Sequence, residues 1–333
     1  MIFRVVSTLC VCWMCLPAAA QSTASPDAAT ELAAPDKVLV VGQRPGPGLW
    51  KVTRGDHVLW IFGTYAPMPK NMEWRSQQVE TILTSAQEYL APPSAQTKIG
   101  FFKQLTALPQ VFGLRNNPNG VLRDVLAPDV YARWLPLKAK YLGKNEDIEG
   151  ERPLFVADEL YRRALSAAGL GNDNQVRDAI EKMVKKRGIK VTEPALDLVM
   201  PDPSGAMKQF KKAAIDDGAC FATTLDRLEH DIDAMRVRAN AWAKGNIALI
   251  RTLSFADREG ACNAAMLNSS FVKGQPGLQD IHARMLTLWV MAAEQALANN
   301  TSSFAMLAMH DIVDPHGFVA ALQAKGYAVE TPE

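Results

Sequence analysis

Two short apolar runs, Leu49–Thr53 and Val58–Phe62, flank Arg54-Gly55-Asp56. That spacing predicts a β-hairpin whose turn is built on glycine. The second arm is apolar at consecutive positions, so it is expected to be buried on both faces. Lys37–Val41 is a shorter strand candidate upstream. From Glu73 to Glu88 the period changes: Val79, Ile82, Leu83 and Ala86 fall on one helical face. The chain then reads as mainly helical, with helices over Phe101–Phe112, Pro128–Leu142, Pro153–Ala168 and Asn174–Arg187, the last stopped by Gly188. "IKVTEPAL" reads as a strand followed by a loop. Helical spacing resumes near Ser204, runs to Ala243, breaks at Gly245, and returns over Ile247–Leu267 and Leu278–Ala298. The end of the chain predicts a buried strand (Phe304–Met309), a loop, a helix (Gly317–Lys325) and a last strand (Tyr327–Glu330).

Strands thus gather at both ends of the chain and helices fill the middle. The expected fold is mixed α/β (α+β): one central mixed sheet assembled from N- and C-terminal strands, with a large helical region. The expected layout is a single domain over 38–333 with a helical insertion at about 101–300, and no repeat of fixed spacing. With 333 residues, 48% of them hydrophobic and 21% charged, the composition is that of an ordinary globular protein. The net charge of +1 gives no global field to attract nucleic acid or anionic lipid. The basic run Lys182–Arg187 suits a helix C-terminus, and no aromatic or glycine-rich reading surface accompanies it, so a nucleic-acid partner is not expected.

The first twenty residues differ from the rest. One early arginine, an apolar stretch from Val5 to Leu16 and the small residues Ala18-Ala19-Ala20 form a secretory signal peptide pattern. The apolar stretch is shorter than the roughly 20 residues a bilayer-crossing helix needs. Residues 21–37, rich in Ala, Ser, Thr and Pro, read as a flexible leader. The expectation is export to the periplasm or beyond, with no membrane span once the signal is cleaved. Cleavage after Ala20 leaves Cys220 and Cys262, for which a disulfide is the leading reading in an oxidising compartment. Two separate buried thiols are the alternative.

The chemistry-bearing candidates are few. "HVLWIFGTYAPMPKNMEW" is a strand that stops at Gly63, with Thr64, Tyr65, Ala66 and a proline-bounded loop after it. Enzymes often place reactive groups at such a corner, yet this one carries an alanine. No G-x-S-x-G occurs. "GQRPGPG" lacks the strand-loop-helix setting of a phosphate loop. His57, His230 and His282 are expected at the surface or without an acidic partner.

Three segments together, "LWKVTRGDHVLWIFGT", the W-x-x-G-N at Trp242–Asn246 and "AMLAMHDIVDPHGFVAALQAKGYAV", resemble the TraB/GumN family, which includes TraB-type pheromone-shutdown proteins and the Tiki membrane proteases. The resemblance spans roughly Leu49 to Val329. It implies a metal-dependent hydrolase-like site made from two G-x-x-H motifs, one near each end, with glutamates between. The first motif corresponds to Gly63-Thr64-Tyr65-Ala66, with alanine in the histidine position. The second corresponds to Leu307-Ala308-Met309-His310, with the histidine kept and leucine for glycine. The early family glutamate falls at Ala91 or Pro92. The later one falls near Pro194 or Ala195, beside Glu193.

A hydrolytic metal needs about three protein ligands and an open position. The first expectation is therefore a degenerate, non-catalytic member with no cofactor that binds a peptide, glycan or protein partner. The alternative is a metallopeptidase or esterase holding zinc or manganese at a reassigned site, with His310 and Glu193 as catalytic groups and His310, His316 and Asp314 as ligands. For Asp314 and His316 a plainer reading competes: Asp314 as N-cap and Pro315 as first residue of the next helix. Three N or O groups converging near Ala66, His310 and Glu193 would favour the enzyme. A cavity lined by Tyr65, Ala66 and Leu307 would favour binding.

Overall fold

The hairpin forms as its pattern requires. In the computed structural model, which describes residues 46–97, 109–171, 175–252 and 258–332, β1 (Leu49–Arg54) pairs antiparallel with β2 (His57–Thr64), Trp50 opposite Ile61 and Val52 opposite Leu59. Gly55 takes the turn at φ 61°, a left-handed conformation that favours glycine. Leu59, Ile61, Phe62 and Gly63 are all buried, as expected for a strand covered on both faces.

The chain's far end completes the sheet. β9 (Ser302–Ala308) lies parallel to β2, and β10 (Ala328–Glu330) lies antiparallel to β1. β4 (Glu88–Leu90) and β7 (Lys190–Thr192) extend it on the other side, giving the order β10-β1-β2-β9-β4-β7. This is the mixed sheet built from both ends of the chain. Alternation sends Phe62, Phe304 and Tyr89 to one face, where the rings of Phe62 and Tyr89 each lie 6.3 Å from that of Phe304. Trp74 and Trp242 close over Phe62 on that face. A core cluster surrounds the sheet. It also takes in α1 (Gln77–Ser85), α5 (Gln175–Arg187) and α12 (Ile281–Asn299).

A second cluster sits among the middle helices, chiefly α3 (Pro128–Tyr141), α4 (Pro153–Ala167) and α7 (Gly218–His230). Trp134, Leu160 and Phe221 are at its centre, each fully buried. Cys220 of α7 and Cys262 of α10 (Arg258–Leu267) are bonded to one another. No described helix is long and apolar enough to cross a membrane.

Several elements differ from the expectation. The helix expected over Glu73–Glu88 spans only Gln77–Ser85, because Gln87 N–H donates to Ser302 O and draws the chain into the sheet, making Glu88 the first residue of β4. The loop expected after "IKVT" is a strand, β8 (Ala195–Leu198), paired with β5 (Ser94–Thr97). The run from Ser204 to Ala243 is three helices: α6 (Pro203–Lys212), α7, and α8 (Ile232–Ala243). β9 is followed by a short helix, α13 (Met309–Val313), and not by a loop. The next helix, α14 (Phe318–Ala324), is preceded by Gly317 and not by Asp314. Asp314 instead accepts a hydrogen bond from the His316 N–H, 2.8 Å. His57 is half-buried, its Nδ1 donating to Leu297 O at 2.7 Å. The Lys37–Val41 strand and most of the Phe101–Phe112 helix lie outside the described residues.

Candidate functional site

Parallel pairing brings the C-terminal ends of β2, β9, β4 and β7 to one edge of the sheet. In open α/β sheets that edge is where ligands bind. The register is specific: Gly63 lies opposite Leu307 and Thr64 opposite Ala308. The two motif-like segments therefore leave the sheet from the same rung. Thr64 Oγ1 ties them together by donating to Leu307 O at 3.2 Å.

Each residue of the first corner has a visible task. A Cβ on Gly63 would stand 2.8 Å from Met309 Cε and 3.2 Å from both Ile312 Cδ1 and Trp50 Cζ3, so a larger residue there would make these side-chain ends shift where α13 packs on β2. Its carbonyl accepts from Trp242 Nε1 at 2.7 Å. Trp242 thus fastens α8 to the end of β2. Two residues after α8, Gly245 turns the chain at φ 69°. Asn246 then accepts from the Leu249 N–H at 3.0 Å, capping α9 (Ile247–Thr252). The W-x-x-G-N segment is therefore the brace of the Gly63 corner.

Tyr65 is held from below. Burial pushes its hydroxyl up to about 12, against the lowering effect of Arg238, which is hydrogen-bonded to it, and of Arg227. It stays protonated at neutral pH. Arg238 is 1% exposed and forms a two-pronged pair with Asp231, both contacts 3.0 Å. Arg227 reaches the same carboxylate at 3.4 Å and the Tyr161 hydroxyl at 3.5 Å. Arg227, Asp231 and Arg238 went unnoticed in the sequence; Asp231 stands at the break between α7 and α8 and pairs with an arginine from each.

The other strand ends are poor in ligands. Ala66 is exposed. Ala91, the residue after β4, offers backbone only: its N–H donates to Thr192 O at 2.9 Å and its carbonyl accepts from Trp289 Nε1 at 3.2 Å. Glu193, the residue after β7, is exposed. His310 sits in α13 with its side chain 68% exposed, Nε2 3.1 Å from Asp311 Oδ1. His316 is 92% exposed, 3.8 Å from Asp314. The structure does not gather His310, His316 and Asp314: among the described residues no three His, Cys, Asp or Glu side chains are placed to hold a metal ion. Leu307 is fully buried in the core, so it lines no surface beside Tyr65 and Ala66. The donor set among the described residues does not fit a hydrolytic metal, which needs about three ligands.

A buried carboxylate lies at the opposite edge. Burial alone would raise the Glu88 carboxyl, but hydrogen bonds from Thr192, Asn300 (2.7 Å) and Lys190, with the Lys190 charge, hold it below the usual carboxylate range. It joins β4, β7 and the entry to β9, and is structural. The helical spacing of its neighbours hid it in the sequence.

No curated protein and no solved structure matches the chain. The profile of the TraB/PrgY/gumN family matches residues 48–331, nearly the whole described region, and takes in the paired corners, the Trp242 brace and the last strand alike. The chain belongs to the TraB/PrgY/gumN family.

Proposed function

We propose that this protein is an exported, catalytically degenerate member of its family that uses the strand-end edge to bind a peptide, glycan or protein partner. The observation that carries the reading is the shared rung. Gly63-x-x-Ala66 and Leu307-x-x-His310 leave the sheet side by side, and together they offer one imidazole where the family pattern has two. The ends of β4 and β7 add Glu193 alone. The signal peptide pattern and the bonded cysteines favour export.

The geometry retains what a binding surface needs. Tyr65 is anchored on Arg238, Gly63 is braced by Trp242, and the neighbouring backbone is tied across strands. Positions held this firmly present their exposed neighbours with little entropy left to lose on binding.

The competing reading, a zinc or manganese hydrolase centred on His310, has one observation in its favour: His310 keeps its motif position beside Asp311. The mature chain, purified without chelators and offered zinc, manganese or cobalt, is expected to hold no stoichiometric metal, with His310→Ala no different. About one metal per chain, lost in that variant, would overturn the proposal and point to a peptidase or esterase.

A further inference from the structure

The Cys220–Cys262 bridge borders a cleft at one of its two sulfurs. Leu154, Phe155 and Asp158 of α4 lie within about 100° of one another around the helix axis, and so do Arg258, Glu259 and Cys262 of α10. Both helices pack against α7. Between those two faces lies a cavity of about 510 Å³, a size common among small-molecule sites. Asp158 and Glu259 line it and are exposed, so it is open to solvent. Cys262, partly buried, lines it as well. Its partner Cys220, on α7, is fully buried. One end of the bridge therefore faces a space that small solutes enter, and the other is sealed in the helical core.

The cleft is charged unevenly. Arg258 crosses it to donate to Asp158 Oδ1 at 3.3 Å, donates to Thr224 Oγ1 of α7 at 3.1 Å, and lies 4.3 Å from the ring centre of Tyr161. Arg162 reaches the other oxygen of Asp158 at 3.2 Å. Arg258 and Asp158 thus answer one another. No ion pair reaches Glu259 among the described residues, so its carboxylate is the unmatched charge of the cleft. Glu259 precedes Cys262 by three positions, which makes the two neighbours on the surface of α10. A reagent approaching Cys262 passes that carboxylate.

Thiol–disulfide exchange is governed by access and by which sulfur is attacked. We infer that Cys262 is the entry point for a small cationic thiol, which opens the bridge from the cleft with Cys220 as leaving group. The thiolate sulfur bonds to Cys262 Sγ, the Cys220–Cys262 bond breaks, and Cys220 departs with the electron pair and takes a proton from water. A second thiolate attacks the reagent's sulfur in the mixed disulfide and releases Cys262 as a thiolate. The protein gains two electrons, and the two reagent thiols leave as their own disulfide. Glu259 favours a thiol that carries an ammonium group over one that carries a carboxylate. The cleft belongs to the helical core, so this chemistry does not depend on what the strand ends bind.

The test treats the mature protein with cysteamine, mercaptoethanol or mercaptoacetate and follows reduction by alkylation and mass spectrometry. Rates are taken per thiolate and divided by those for the same protein unfolded in urea, which removes each reagent's own nucleophilicity. The rate is expected to rise linearly with thiol concentration. Cysteamine is expected to exceed mercaptoacetate by about twofold to fivefold, the worth of one exposed charge contact, and Glu259→Gln to remove the difference. A rate that stays constant as thiol is added would mean that the bridge opens only by unfolding, and would overturn the inference. So would equal rates for the two charged thiols, or a preference that Glu259→Gln leaves unchanged. The sulfur attacked is read from Cys220→Ala and Cys262→Ser, each probed with cystamine, the disulfide of cysteamine. The remaining Cys262 is expected to form the mixed disulfide and the remaining Cys220 to stay unreacted, and the reverse would overturn the assignment. A metal held at His310 would sink the strand-end reading and leave these rates where they are.

Discussion

Glu88 is a charge the sheet accepts because three partners meet it. Two hydrogen bonds and a lysine offset the cost of burying the carboxylate, and the folded pKa lies below its unfolded value. The sign of the linkage follows. The stability Glu88 contributes is complete above the unfolded carboxyl's ordinary value of about 4.3, and it is lost as pH falls through the lower folded value. Glu88→Gln keeps the shape and removes the charge. It is expected to lower stability by about 1–3 kcal/mol at neutral pH. The gap between variant and wild type in thermal midpoint should shrink as pH falls below about 4. A gap of constant size down to pH 3 would mean that the charge contributes nothing and the amide merely fits badly.

At the scale of elements, the informative fact is a register. Sequence showed two motif-like segments 244 positions apart, Gly63 to Leu307; only the parallel pairing of β2 and β9 sets them on one rung. A consequence can be measured. Ala66 is exposed, so Ala66→His adds an imidazole without disturbing the core. It is expected to raise zinc affinity at least about tenfold over wild type, and adding His310→Ala should abolish the gain. No gain would mean that the segments diverge too far beyond the paired rung. Leu307→Gly, in contrast, would empty a fully buried position and forfeit about 1.5–3 kcal/mol of burial. The second motif's departure is thus built into packing, while the first motif's is a surface change.

What was legible follows from the same physics. The hairpin, β9, α14 and the core-facing helix stripes were readable because long apolar periods have one burial solution. The β5–β8 pair was not: β5 is exposed at all four residues, so no alternation marks it. Glu88 was assigned to a helix because local periodicity carries no trace of the Ser302 carbonyl that ends it. The corner at Gly63 was recognisable, but its brace by Trp242 and the anchoring of Tyr65 on Arg238 are contacts between residues far apart along the chain, which no local pattern records.

At the scale of the molecule there are two cores, and α8 belongs to both: Met235 packs in the helical cluster, while Ala239 and Trp242 pack against the sheet. The disulfide lies wholly in the helical one, joining residues 42 apart. By loop entropy it contributes about 4 kcal/mol. Cys220→Ala with Cys262→Ser removes it with little change in side-chain volume. Hydrogen exchange then reads where the loss is felt, since local opening follows cooperative units rather than the whole chain. Amides of α7 and α10 are expected to exchange faster by a factor that falls off across α8, while those of β2 and β9 keep their protection. The reason is that Trp242 is held by the Gly63 carbonyl and by the Phe62 and Trp74 rings, none of which the disulfide touches. The binding proposed for the strand ends would then survive reduction. Faster exchange in β2 as well would show that α8 transmits the loss, and that the sheet and the helical region open as one unit.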